Sequence, residues 1–202
     1  GGIKRIYAPL PVADKLAGKT QNIEIVTKTS DIFEKENVNT EFVSVSSPAA
    51  IYHYGKKAKY GDFRLNIFNS LTANEFSMLE CVTLSPELNL GEISDITKHT
   101  KDIETEIIGY GHITLMIMKN CPIKAMGKCQ NGKKIYSLKD RKNITFPIMC
   151  LSGCKAQLLN SKPVFTADII DKIIRSGVNC LRLNFTIENA RFNIDPIAHT
   201  FC

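Results

Sequence analysis

Short β-prone runs alternate with helical stretches through the first half of the chain. Residues 3–8 (IKRIYA), 23–27 (IEIVT) and 40–45 (TEFVSV) carry apolar and β-branched side chains at strand spacing. Ser47-Pro48 is a helix-start signal, and a helix is expected over 49–57. Residues 62–68 form a further apolar run, 71–79 have helical spacing, and 81–84 read as a short buried strand. An amphipathic helix over 89–98 and a strand over 104–108 follow. Strands and helices alternating at this pitch predict βα units around a parallel sheet.

The rhythm then breaks. Residues 112–119 (HITLMIMK) are apolar and β-prone, and 120–154 are loop-like, with β pieces at 135–138 and 144–149. A helix resumes over 166–176, Gly177 suits its C-terminal cap, and 179–185 (NCLRLNF) read as a last strand. The expected fold is α/β, a partial or complete TIM-like (β/α) barrel with a cysteine-bearing, β-rich insertion. The expected domains are barrel units over 1–118, a basic insertion over 119–160 and a final βα unit over 161–202. A closed eight-stranded barrel usually needs ~250 residues, ~200 at the low end. A chain of 202 residues that spends part of its length on an insertion is short for one. Completion of the barrel by an N-terminal half or by a partner chain is therefore expected. The opening Gly1-Gly2 fits a tag remnant or a cut within a longer protein.

Charge sharpens this picture because of where it sits. The chain carries a net +6, yet between Lys119 and Lys142 there are eight Lys or Arg against one acid, Asp140. That segment is +7 by itself, and the remainder is close to neutral. A concentrated basic patch attracts RNA or another anionic substrate, though a lysine-rich loop that merely keeps a surface solvated has the same composition. No apolar stretch approaches the ~20 residues of a membrane span, so no membrane partner is expected.

Seven cysteines, an odd number, with no export signal point to a reducing compartment and a cytoplasmic protein. Cys121, Cys129, Cys150 and Cys154 fall in a C-x7-C-x20-C-x3-C pattern. Two short loops, each with two thiolates and joined by a hairpin, can converge on one ion or cluster. Cys81 and Cys180 sit in apolar contexts and read as core residues. Other catalytic signatures are missing. Gly18-Lys19-Thr20 has Ala13 where a phosphate loop needs glycine, and there is no G-x-S-x-G or H-E-x-x-H.

Barrel active sites lie at the C-terminal ends of strands. On that reading Glu87 and His112 are acid–base candidates. Arg64, Asn66, Asn69 and Arg141 are substrate-binding candidates. Arg182, flanked by Leu181 and Leu183, points away from both and needs an anion or a carboxylate if its face is enclosed. Plainer readings stand beside these: Asn66 and Asn69 in turns or barrel-layer hydrogen bonds, Glu87 in a capping box, His112 as a satisfied loop histidine.

The stretch 65–184 resembles the peptidase U32 family, the collagenase-like proteins. The resemblance rests on Asn66-Ile67-Phe68-Asn69-Ser70, Thr83-Leu84-Ser85-Pro86-Glu87-Leu88-Asn89-Leu90 and Tyr110-Gly111-His112 with Leu115-Met116. It continues through Asn120-Cys121-Pro122, Gly127-Lys128-Cys129, Leu138-Lys139-Asp140-Arg141-Lys142 and Phe146-Pro147 to Leu181-Arg182-Leu183-Asn184. The family implies a TIM-like barrel with a cysteine-bound [4Fe-4S] cluster, zinc being the alternative for four thiolates. Cys121, Cys129 and Cys154 match its cysteine positions. Cys150 is taken as the fourth ligand, with Cys180 as its rival. Members carry a peptidase label, while better-understood relatives support oxygen-independent hydroxylation of a tRNA uridine, an rRNA cytidine or a quinone precursor. The resemblance therefore implies RNA pyrimidine hydroxylation first. The alternatives are a peptidase, or a non-catalytic fragment that needs a partner.

Overall fold

The computed structural model describes residues 2–20, 22–29, 36–130 and 134–188. Two compact units emerge: one built from residues 1–108 and 169–182, the other from 109–168 with the described residues from 183 on. The divisions fall after Ile108 and before Ile169.

The first unit is a mixed α/β structure. Strands β1 (Arg5–Pro9), β2 (Glu24–Lys28), β3 (Phe42–Val45), β4 (Ala58–Gly61), β5 (Cys81–Thr83) and β6 (Glu104–Gly111) pair in chain order, each parallel to the next. Strand β12 (Cys180–Asn184) pairs with β6. Helices α1 (Leu10–Leu16), α2 (Pro48–Tyr54), α3 (Ser70–Glu75) and α4 (Leu90–His99) link successive strands, and α6 (Ile170–Arg175) precedes β12. Their starts follow from local chemistry. Ser47 caps α2 by accepting from the Ala50 N–H, and Asn69 caps α3 by accepting from the Thr72 N–H. Asn89 and Glu92 form a reciprocal capping box on α4, so that role falls to them and not to Glu87.

Alternation along the strands sorts side chains to the two faces of the sheet. Val43, Val45, Val82 and Ile107 face the helices and form one core with Ala50, Ala73, Ile93, Ile96 and Ile173. The intervening residues carry hydroxyls, thiols and charges, among them Tyr7, Tyr60, Cys81, Thr83, Glu104, Glu106 and Arg182. The sheet is curled into a half-barrel about this polar face. In a flat sheet β1 and β6 would stand five strand spacings apart, about 24 Å. Arg5 of β1 instead reaches Glu104 of β6 at 2.5 Å, and Tyr7 reaches Glu106 at 3.2 Å.

One expected strand is displaced. The strand preceding α3 is Ala58–Gly61, and Asp62 opens a 3-10 turn over Phe63–Leu65 that ends on Asn66 in the left-handed region. The apolar character of 62–68 belongs to this connection, whose Leu65 and Ile67 fold into the core.

In the second unit, β7 (Thr114–Met118), β10 (Ala156–Leu159), β9 (Thr145–Cys150) and β8 (Ile135–Lys139) form an antiparallel sheet in the order β7-β10-β9-β8. The short helix α5 (Pro122–Ala125) packs Cys121 and Ile123 against Ile148 and Ala156. Strand β11 (Val164–Phe165) pairs antiparallel with Tyr110 and Gly111.

Candidate functional site

Two arrangements carry chemistry, one in each unit. In the half-barrel, Arg182 is buried and stretched between two carboxylates. Its NH1 donates to Asp62 Oδ2 at 2.8 Å, and its NH2 lies 2.7 Å from Glu106 Oε1. Glu106 also accepts from the Thr83 hydroxyl at 2.8 Å and from the Tyr7 hydroxyl at 3.2 Å. The guanidinium carbon stands 4.0 Å from the centre of the Tyr7 ring, a desolvated cation–π contact of about 2 kcal/mol. Lys28, a third exposed, approaches Asp62 Oδ2 at 3.9 Å. The other carboxylate oxygen of Asp62 is buried with no hydrogen-bond partner.

Burial by itself would raise the Asp62 pKa, but Lys28, Arg182 and Arg64 outweigh it and hold the carboxyl below its ordinary value. Burial likewise works against the charge on Arg182, and Glu106 and Asp62 more than restore it. The Tyr7 phenol is pushed up by burial and by Glu106. A fixed ion pair therefore crosses the polar face, from Asp62 just after β4 to Arg182 in the middle of β12 and Glu106 within β6.

A second layer lies on the same polar face. Arg5 bonds Glu104 and Glu24, and its NH1 is 3.6 Å from Cys180 Sγ. Cys180 Sγ also donates to Glu104 Oε2 at 3.6 Å. Cys81 and then Arg5 lower the Cys180 pKa, against burial and Glu104, while Cys180 and burial raise that of Cys81. An open depression of about 640 Å³ lies at the other ends of β2 and β3, lined in part by Thr20, Asn22, Asn39 and Glu41.

In the second unit Cys121, Cys129 and Cys154 all bear on Cys150. Burial raises its pKa, and Cys121, then Cys129 and Cys154, push in the same direction. Cys121 precedes α5. The helix ends at Gly127 (φ 65°) with the Lys128 N–H donating to the Ile123 carbonyl, a turn that leads directly to Cys129. Cys150 ends β9, and a tight turn through Gly153 brings in Cys154, whose Sγ is 3.5 Å from Lys124 Nζ. Cys180 has Cys81 and Arg5 as its neighbours instead. The donor set is all thiol, which suits zinc or an iron–sulfur cluster. Among the described residues, no three of His, Cys, Asp or Glu already close on a common metal position.

The remaining candidates are scattered. Glu87 is exposed, and only its backbone N–H is bonded, to Ser85 Oγ at 3.4 Å. His112 Nδ1 stands 2.8 Å from the Asn160 carbonyl, which can only accept, so Nδ1 carries the proton. Arg64 is half-buried, with its guanidinium 5.5 Å from the Phe63 ring centre. Asn66 and Asn69 serve the turn and the α3 cap, and Arg141 is exposed beyond β8. Sequence reasoning missed Asp62, Glu106, Tyr7 and Lys28. The signal available was acids at alternate positions, Glu104 and Glu106, in a strand whose other face is apolar. No helix among the described residues is long and apolar enough to cross a membrane.

A family model described as Peptidase family U32 matches residues 62–191, which covers the segment from Asp62 through Arg182 and all four clustered cysteines. No curated protein and no solved structure matches the chain.

Proposed function

The chain belongs to peptidase family U32, and from that premise we propose that it is an iron–sulfur protein that hydroxylates a pyrimidine base of tRNA or rRNA. The observation that carries this reading is that Cys121, Cys129, Cys150 and Cys154 fall in one compact unit, the first two inside the strongly basic segment 119–142 and Cys154 with its Sγ 3.5 Å from Lys124 Nζ. The four thiolates would hold a [4Fe-4S] cluster, which when bound supplies one-electron chemistry. The lysines around them offset thiolate charge and favour RNA phosphates. Asp62 and Arg182 supply a fixed carboxylate and guanidinium on the polar face of the half-barrel, beside which a polar substrate group would be oriented. The hydroxyl group would come from a donor other than O2.

Two measurements test this. Protein purified without air should be brown, absorb near ~400 nm and contain iron and sulfide in matching amounts; Cys150→Ser should lose both. Colourless protein with one zinc per chain would replace the cluster by a structural metal. Nucleosides from a deletion strain should lack one hydroxylated pyrimidine. Unchanged RNA, with peptides released from gelatin by the purified protein, would move the reading to a peptidase. Neither His112, bonded to Asn160, nor His99, bonded to the Asp95 carbonyl, is bonded to a nucleophile.

A second reading rests on the open edges. Among the described residues, β1 pairs only with β2, and β12 only with β6. A preceding segment or partner chain adding a strand there would make this chain one part of a catalytic barrel. A higher-order complex in solution would support that assembly, and a stable active monomer would oppose it.

A further inference from the structure

We propose that the β8–β9 hairpin is a rigid arm that docks RNA through its phosphates and does not read base sequence. This rests on the RNA reading above and narrows it to named side chains.

The hairpin is fixed by its own backbone. Five cross-strand pairs run from Ile135 opposite Met149 to Lys139 opposite Thr145. The tip is closed by bonds between Asp140 and Ile144 and between Asn143 and Asp140. Asp140 Oδ1 accepts from the Lys142 N–H at 2.7 Å and from the Ile144 N–H at 2.9 Å. Asn143 takes the positive φ of 61° that such a tip requires. The only acid on the arm thus has a carboxylate oxygen committed to the turn.

The cations on the arm have no such commitment. Lys134, Lys139, Arg141 and Lys142 are all exposed, and among the described residues none of them makes an ion pair. Four like charges on a stiff hairpin repel one another, so their arrangement favours an external anion. Lys134 and Lys139 are five residues apart along a strand, about 17 Å. Five is an odd offset, so the two side chains leave opposite faces of the arm, and the charge ends in a two-cation tip. A phosphodiester chain that passes round the arm can meet all four, whereas a flat headgroup surface meets one face. β8 also forms an edge of its sheet, so one flank of the arm is open among the described residues.

The arm has little with which to read bases. Its two aromatics, Tyr136 on β8 and Phe146 on β9, are both half-buried, and the Tyr136 hydroxyl accepts from the Gln130 N–H at 2.7 Å. Without stacking platforms, phosphate contacts fix position and carry no sequence information. Specificity for a modified base must then come from elsewhere in the protein.

The test is fluorescence anisotropy of the whole chain with a labelled single-stranded oligo(U) and a mixed-sequence oligomer of equal length, across a salt series. The two oligomers should bind alike. Each phosphate contact on single strands contributes ~0.7 to the slope of log K against log salt, so Lys139→Gln/Arg141→Gln/Lys142→Gln should flatten that slope by ~2. Lys98→Gln/Lys101→Gln/Lys172→Gln removes the same charge from exposed positions of the half-barrel and should leave the slope in place. A hairpin variant that behaves like this control overturns the arm while leaving the RNA reading intact. A parent chain that binds neither oligomer overturns both. Preferential binding to phosphatidylserine vesicles, or a tenfold preference for one oligomer, also overturns the proposal.

Discussion

Arg182 on β12 donates to Asp62, the residue just after β4, at 2.8 Å across 120 positions of sequence. Both groups are buried, and Glu106 completes the bridge from β6. The polar face of the half-barrel is therefore tied together by ions rather than packed with branched aliphatics. Two buried carboxylates share this guanidinium, so its removal leaves charge uncompensated. Arg182→Met should cost about 3–5 kcal/mol, read from the denaturant midpoint. Arg182→Lys should lose less, since it keeps the charge but not the two-ended geometry. Asp62→Asn/Glu106→Gln added to Arg182→Met should recover part of the loss. Additive losses would mean that the three residues do not act as a unit.

Acid should dissolve the same bridge. The folded pKa of Asp62 lies below its ordinary value of 3.8. Its contribution is then fully present above that value and is lost as pH falls through the folded one. Glu104, lowered mainly by its bond from Arg5, adds to the loss in the same window. Stability should hold down to about pH 4 and drop below it. Asp62→Asn should be less stable at neutral pH, with its gap to the parent narrowing as pH falls below 4. Denaturant titrations at several pH values measure this, and a gap that stays constant would contradict it.

The sequence made some of this legible and hid the rest for physical reasons. Helix α2 is announced by Ser47, because capping is local chemistry, while Asn69 and Asn89 cap α3 and α4 although only the helical spacing after them was read. Strand β4 (Ala58–Gly61) escaped because its outward residue is only Ala58 and its inward one is Tyr60, so no aliphatic run marks it. The more apolar 62–68 drew attention instead, yet Asp62 starts a turn there and only Ile67 bridges to the next strand, at Leu84. Leu181 and Leu183 placed Arg182 on the opposite face and so required an anion if that face were enclosed, but neither the enclosure nor the partners followed, since ion pairing across 120 residues leaves no local periodicity. The Cys150–Cys154 loop was visible as spacing, while the pairing of Cys180 with Cys81 depends on β5 and β12 both flanking β6 and was not.

Gly111 offers a sharp test of backbone geometry. It ends β6 with φ at +117°, a conformation that L side chains rarely adopt. A Cβ there would lie 2.1 Å from the Asn184 carbonyl oxygen, and backbone cannot step aside as a side-chain tip can. Gly111→Ala should therefore lose at least about 2 kcal/mol through combined strain and overlap. Thermal unfolding would show a lower midpoint. A variant that melts with the parent would mean that Gly111 and Asn184 are not in this contact.

The Cys180–Cys81 pair predicts an order of thiol ionisation. Cys180 is favoured as thiolate first by Cys81 and then by Arg5, whose NH1 is 3.6 Å away, while burial and Glu104 oppose it. Cys81 retains its proton because Cys180 and burial both work against its charge, and it is 1% exposed. Reactivity follows the thiolate fraction, so alkylation of Cys180 should begin at lower pH than that of Cys81. Accessibility also separates the two, so the decisive quantity is the midpoint of each pH profile, read by mass spectrometry of labelled peptides. Arg5→Gln and Cys81→Ser should each shift the Cys180 midpoint upward, because each removes a group that favours its charge. A Cys180 midpoint unmoved by both substitutions would show that neither Arg5 nor Cys81 acts on that sulfur.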